Sequence, residues 1–218
     1  MEELKRIAAE KAVELVEDGM VVGLGTGSTV YYAIRKIGET KRVVCVPTSL
    51  RTEKIARDSG IRIGSVEDFD RIDMTIDGAD EIDSGLNLTK GLGGALYREK
   101  VVAQMSDFLV IVADESKTVR ALGEKAPLPV EVMPFGHMRT MAELKCLGCS
   151  CSVRGKMSDN GNMLVDCDFG GSFPQPLENL AGKIKGVTGV VEHGLFLDLA
   201  DVAFIGGKDG VAVVEKRD

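Results

Sequence analysis

Short, mostly apolar runs punctuate the first half of this chain, over 20–24, 43–46, 61–63, 74–76 and 108–112, broken only by Arg62 and Thr75, and four of them stop abruptly at a polar loop. Runs of this length without polar alternation suit strands buried on both faces, which is the habit of parallel sheets. The segments between them have helical spacing. Leu4, Ile7, Ala8, Val13, Leu15 and Val16 line one helical face that ends at Gly19, and further helices are expected up to about residue 36, over 50–59 and over 95–106. Strand and helix in alternation predict βαβ units, hence a Rossmann-like α/β domain with helices on both faces of a parallel sheet. Such sheets bind ligands beyond the carboxyl ends of their strands. The polar loops at 26–29, 48–49, 77–80 and 114–117 are therefore expected along one edge.

The pattern changes after Pro127-Leu128-Pro129. Strands are expected over 130–133, 149–154, 163–168 and 190–197, and helices over 138–147 and 177–185. The turn Ser158-Asp159-Asn160-Gly161 between the middle strands is a strong hairpin signal. The order βαββαβ is that of a smaller ferredoxin-like α+β domain. The sequence thus divides into a Rossmann-like domain over 1–127, rejoined by 203–218, and a ferredoxin-like domain over 128–202.

The totals narrow the function. A formal net charge of −7 without any run of basic residues argues against nucleic acid, whose phosphate backbone demands a concentrated cationic face. An anionic small molecule needs only a few lysines and backbone amides. The N-terminal 20 residues mix charges into their apolar positions, unlike a signal peptide, and no window approaches a membrane span. A cytoplasmic protein without membrane contact is the expectation. Five cysteines, an odd and scattered set, fit free thiols. Cys146, Cys149 and Cys151 have metal-like spacing, but no second pair follows and His137 is the only histidine nearby. Cys149 and Cys151 suit alternate positions of a strand, so they read as buried thiols and no metal is expected.

Four motifs carry the chemistry. Gly23-Leu24-Gly25-Thr26-Gly27 follows a strand and precedes a helix. As a dinucleotide fingerprint it fails, because Ser28 replaces the third glycine and the next strand ends without an acid. Glycines followed by Ser28 and Thr29 at a helix start better suit a single phosphate. Asp77-Gly78-Ala79-Asp80 is followed by Glu81 and Asp83, and these acids are either turn formers or proton-transfer groups. Lys90-Gly91-Leu92-Gly93-Gly94 spends backbone entropy that a plain connection would not need, which points to close approach by a ligand. Glu99 opens the next helix, either as a carboxylate base or as an exposed residue between Arg98 and Lys100. Lys117 is a surface lysine or an anion contact. His137 and His193 lack the neighbours of a catalytic triad and read as structural.

Taken in order, 25–29, 77–83, 90–94 with Arg98-Glu99-Lys100, and Asp114-Glu115-Ser116-Lys117 resemble the type A family of ribose-5-phosphate isomerases. Pro127-Leu128-Pro129-Val130-Glu131 and Val191-Glu192-His193-Gly194-Leu195-Phe196 resemble it too. The resemblance implies aldose–ketose isomerisation between D-ribose 5-phosphate and D-ribulose 5-phosphate through an enediolate, without metal or organic cofactor. It makes Glu99 the base, Asp77 the group assisting ring opening and Asp80 a holder of substrate hydroxyls. Lys90 with the amides of Gly91, Leu92 and Gly93 would stabilise the oxyanion. Thr26, Gly27, Ser28, Thr29 and Lys117 would grip the phosphate, Lys5 being a weaker candidate, with Gly78 and Ala79 lining the substrate. It also implies a homodimer or homotetramer, with the ferredoxin-like domain at the interface. Leu92 departs from the family's glycine and puts its amide contact in doubt. The competing readings are another sugar-phosphate enzyme, such as a deaminase or lactonase, and a non-catalytic sugar-phosphate sensor.

Overall fold

The structure is a computed structural model that describes residues 1–216. In chain order its elements begin with α1 (Glu2–Val13), β1 (Val21–Leu24), α2 (Ser28–Thr40), β2 (Val44–Pro47), α3 (Leu50–Asp58), β3 (Arg62–Ile63) and β4 (Met74–Asp77). Two short strands follow, β5 (Glu81–Ile82) and β6 (Leu88–Thr89), then α4 (Leu96–Gln104) and β7 (Leu109–Asp114). Next come β8 (Leu128–Val132), α5 (His137–Lys145), β9 (Ser150–Met157), β10 (Met163–Asp168) and α6 (Leu177–Lys185). The chain closes with β11 (Val190–His193), β12 (Leu195–Phe196), β13 (Val202–Gly207) and β14 (Gly210–Glu215).

These elements form two compact units. The first holds Met1–Ala79, Arg98–Lys117 and the described residues from Leu199 to Lys216. Its sheet runs β14-β13-β7-β4-β1-β2-β3, parallel except for β14, which returns antiparallel on β13. The tail over 202–214 therefore joins the first unit. Strands buried on both faces fill the centre, where Val22, Leu24, Ile76, Val110 and Val112 are all completely buried. On α1, Ala8, Ala9 and Ala12 let its backbone approach closely, while α2 contributes Val30, Ala33, Ile34 and Ile37 to the same core. Burying each of the larger aliphatic side chains is worth roughly 1.5–3 kcal/mol.

The second unit holds Asp80–Tyr97 and Thr118–Asp198. Its four-stranded sheet is antiparallel, in the order β11-β8-β10-β9, which is the strand order of a ferredoxin-like βαββαβ unit. The β9–β10 hairpin closes with the Ser158 N–H donating to the Asn162 carbonyl. In the middle of β8, Glu131 is fully buried, and its Oε1 accepts from Ser158, Asn160 and Asn162 of that turn. This pins the hairpin tip to the sheet.

Two features depart from the sequence reading. The run over 190–197 is not one strand but two, because Gly194 works in both directions: its N–H donates to Pro129 and its carbonyl accepts from Lys90. Beyond it, β12 leaves the ferredoxin-like sheet and joins β6 and β5 in a separate three-stranded sheet. The second point concerns the units, which cut the chain elsewhere than at 127 and 203. Residues 80–97 and 118–127 lie in the second unit, because β6 pairs with β12 and β5 with β6, and the loop from Gly123 to Ala126 hydrogen-bonds to Glu81. Residues 217 and 218 of the expected first domain lie outside the described residues. No helix among those described is long and apolar enough to cross a membrane.

Candidate active site

In the first unit the parallel order β7-β4-β1-β2 puts four loops side by side beyond the carboxyl ends of neighbouring strands. They are the polar loops expected on one edge. The loops after β1 and β4 are bonded directly, since the Thr26 N–H donates to Asp77 Oδ1 at 3.3 Å. The same oxygen accepts the Gly78 N–H at 2.7 Å. Gly25 makes this possible. A Cβ built there would sit 1.8 Å from Asp77 Oδ1, so any larger residue would evict the carboxylate. Asp77 is completely buried, held on its own strand end.

The Thr26 hydroxyl turns toward the loop after β2. It lies 2.8 Å from Ser49 Oγ, 3.0 Å from Thr48 Oγ1 and 3.1 Å from Thr52 Oγ1. Thr52 in turn donates to the Gly25 carbonyl, and Ser49 caps α3 by accepting the Thr52 N–H. The cluster fixes the β1 loop from below. Thr48 and Ser49 were visible as a polar loop, but Thr52 was masked by its place in a helix. At the start of α2, Ser28 is exposed, Thr29 is buried, and Gly27 supplies no side-chain cap. The first-turn amides of α2 thus have no side-chain acceptor in the cap position and no acid in their first turn, an arrangement that favours an anion.

Glu99 lies in the first turn of α4 and is 3% exposed. The alternative of a solvated residue on a charged helix face fails, since Lys100 beside it is also buried. A carboxylate so far from water is costly unless its surroundings or its chemistry require it. Lys117 ends the 3-10 turn Glu115–Lys117 after β7 and is half-buried. Lys5 sits on α1 and pairs with Glu2 at 2.9 Å. That ammonium, with the Tyr32 hydroxyl, holds the Glu2 carboxyl below its usual range.

In the second unit Asp80 and the Lys90 loop meet. Asp80 Oδ2 accepts the Leu92 N–H at 2.8 Å, and the Asp80 N–H donates to the Thr89 carbonyl at 2.8 Å. Lys90 is 3% exposed, with its ammonium 5.4 Å from the centre of the Phe196 ring, within the range of a cation–π contact. Gly91 and Gly94 take φ values of 108° and 85°, a region that side chains with a Cβ strongly disfavour. Leu92 does not share that conformation and leaves its side chain half-exposed. The loop therefore demands glycine at 91 and 94 but tolerates leucine at 92, which accounts for the departure at this position.

Arg154 on β9 is the residue that sequence reasoning missed. Its Nη1 donates to the carbonyls of Gly91 at 2.7 Å and Leu92 at 3.2 Å, while Nε donates to Asp166 Oδ2 at 2.9 Å and Nη2 to the other carboxylate oxygen. A planar fork can serve two partners at once in this way. The remaining acids divide cleanly. Glu81 is fully buried and accepts the amides of Gly123, Lys125 and Ala126, plus the Thr89 hydroxyl. Asp83 accepts the amides of Gly85 and Asn87. Both are spent on architecture, which explains the excess of negative charge after Asp80. His193 Nδ1 lies 3.2 Å from the Leu195 N–H, and His137 Nδ1 lies 3.0 Å from the Pro134 carbonyl.

Known proteins match the chain end to end. The family model described as ribose 5-phosphate isomerase A (phosphoriboisomerase A) matches residues 44–210. The ribose-5-phosphate isomerase A of Bacillus mycoides (strain KBAB4) is 45% identical over 220 residues, covering 97% of this chain and 99% of the relative. Among solved structures, the ribose 5-phosphate isomerase from Plasmodium falciparum superposes with a TM-score of 0.95 at 42% identity, covering 100% of both chains. A D-ribose-5-phosphate isomerase in complex with phospho-erythronic acid superposes with a TM-score of 0.93 at 37% identity, covering 98% of both chains. This chain belongs to the ribose 5-phosphate isomerase A family.

Proposed function

We propose that this protein interconverts D-ribose 5-phosphate and D-ribulose 5-phosphate by proton transfer through an enediolate. The observation that carries the reading is Glu99, a carboxylate 3% exposed in the first turn of α4, in a chain that belongs to this isomerase family. The reaction must remove a weakly acidic proton from carbon and return it to the adjacent carbon. A carboxylate shielded from water suits reversible transfer, because the proton it takes from one carbon is kept from leaking to solvent before it is returned to the next. Glu99 is assigned that shuttle between C2 and C1.

The remaining roles follow from the resemblance, residue by residue. Asp77, fixed by the amides of Thr26 and Gly78, assists opening of the furanose ring. Asp80 orients substrate hydroxyls, and Lys90 with the amides of the glycine loop stabilises the developing oxyanion. Preorganised donors of this kind are often worth about 3 kcal/mol each. The α2 N-terminus, with Gly27, Ser28 and Thr29, and Lys117 bind the phosphate, which orients the reacting carbons, while Gly78 and Ala79 line the substrate. The resemblance has Thr26 grip the phosphate, but with its hydroxyl on Thr48, Ser49 and Thr52 and its N–H on Asp77 we assign it to fixing that loop. Charge stabilisation falls to protein groups, so no metal or organic cofactor enters.

We further propose a cytoplasmic homodimer or homotetramer, with the ferredoxin-like domain at the interface. On that unit Phe135 is 94% exposed and Met138 69% exposed, more apolar surface than a solvated loop needs. The isomerase reading is tested by incubating purified protein with ribose 5-phosphate in EDTA and following ribulose 5-phosphate. Conversion supports it. No conversion with or without EDTA overturns it, and loss in EDTA alone overturns the metal-free part.

A further inference from the structure

Three of the five cysteines converge in the second unit, and none of them has been given a role above. Cys151 on β9 and Cys167 on β10 are direct partners in the antiparallel register. Cys149 stands two residues before Cys151, so the alternation of extended chain carries its side chain to the same face. The Cys151 sulfur lies 3.7 Å from that of Cys149 and 3.7 Å from that of Cys167. All three sulfurs lie within 4.8 Å of one another. They are free thiols, far apart compared with the ~2.05 Å of a disulfide.

A single buried thiol is ordinarily a small apolar filler. Three thiols aimed at one point are also a donor set. A cation ~2.3 Å from each sulfur holds tetrahedral thiolates about 3.8 Å apart and trigonal ones about 4.0 Å apart. The present separations need to change by only a few tenths of an ångström at two of the three edges. Cys149 and Cys167 are buried beside Leu144 and Val165, while Cys151 is half-buried and gives solvent a way in. No histidine, carboxylate or further thiol joins the group among the described residues. An all-sulfur set selects soft ions and disfavours magnesium or calcium.

We propose that Cys149, Cys151 and Cys167 form a thiolate site for one soft d10 cation of the zinc(II) or copper(I) class. Binding forms three metal–sulfur bonds and releases the thiol protons to solvent, with no change of oxidation state. The site ties β9 to β10 and is independent of isomerisation, which proceeds without it.

The probe is cadmium(II), a spectroscopic stand-in, titrated anaerobically into the full-length protein. The expected result is an ultraviolet thiolate-to-cadmium band that saturates at one equivalent per chain, with proton release. Cys151→Ala should weaken binding at least about tenfold, the scale seen even for an outer-shell partner, and leave isomerase turnover unchanged. Cys146→Ala, at an exposed thiol outside the cluster, should bind as the parent does. A second reading needs no variant: bound cadmium should slow alkylation of Cys151 but not of Cys146. No band at one equivalent, a band that persists in Cys151→Ala, or unaltered Cys151 alkylation would each overturn the proposal.

Discussion

The Asp80 carboxylate accepts the main-chain N–H of Leu92 at 2.8 Å, so the second acid of the Asp77–Asp80 motif holds the loop that follows Lys90. A residue read as a substrate contact is also the clasp of the glycine loop that follows Lys90. Asp80→Ala should lower kcat/KM by about 100-fold, the cost of displacing a catalytic group by roughly 1 Å. Asp80→Asn keeps an accepting oxygen and should cost about tenfold less than the alanine variant. Equal losses in the two variants would mean that the clasp contributes nothing to catalysis.

Leu92→Gly tests the one departure from the family pattern. Because the left-handed positions are Gly91 and Gly94, the glycine adds only freedom to the unfolded chain. Stability should fall by up to ~1 kcal/mol, and kcat/KM should stay within about threefold of the parent. A tenfold gain in kcat/KM would show that the leucine obstructs the loop.

Arg154 holds Gly91, Leu92 and Asp166 with one guanidinium. Lysine cannot reproduce that fork. Arg154→Lys should reduce kcat/KM by about tenfold through a displaced loop, a loss near the 1.5–3 kcal/mol of a charged hydrogen bond. Steady-state kinetics beside a thermal melt decide the matter, since a purely structural role would lower the melting temperature and leave kinetics of the folded enzyme intact.

Glu81 should behave in the opposite way. Its removal in Glu81→Ala strands the buried-side amides of Gly123, Lys125 and Ala126, at about 1–3 kcal/mol for each unsatisfied group. A total near 3 kcal/mol predicts a melting temperature lower by ~6–12 °C. A shift under about 2 °C would contradict the architectural role.

The parallel sheet was legible because its strands are buried on both faces, so Val22, Val110 and Val112 sit in unbroken apolar runs. The βαββαβ order was legible from the turn at 158–161. What escaped were relationships between distant positions. Glu81 and Asp83 are acids like Asp80, yet the loop after Gly123 claims one and the turn at 85–87 the other. Nothing local announces that Arg154 reaches back 63 residues to Gly91, or that Gly194 splits a strand by bonding to Lys90 and Pro129. Cys167 joined Cys149 and Cys151 only through strand register, which spacing in the sequence does not encode.

The central claim is that the buried Glu99 carboxylate moves the proton, and Glu99→Gln isolates it by replacing a base with an isostere of the same shape. Measured with ribose 5-phosphate, kcat should fall at least about 100-fold, the usual scale for losing a general base, while KM stays within a few-fold of the parent. A variant that turns over at near-parental kcat would remove Glu99 from the mechanism.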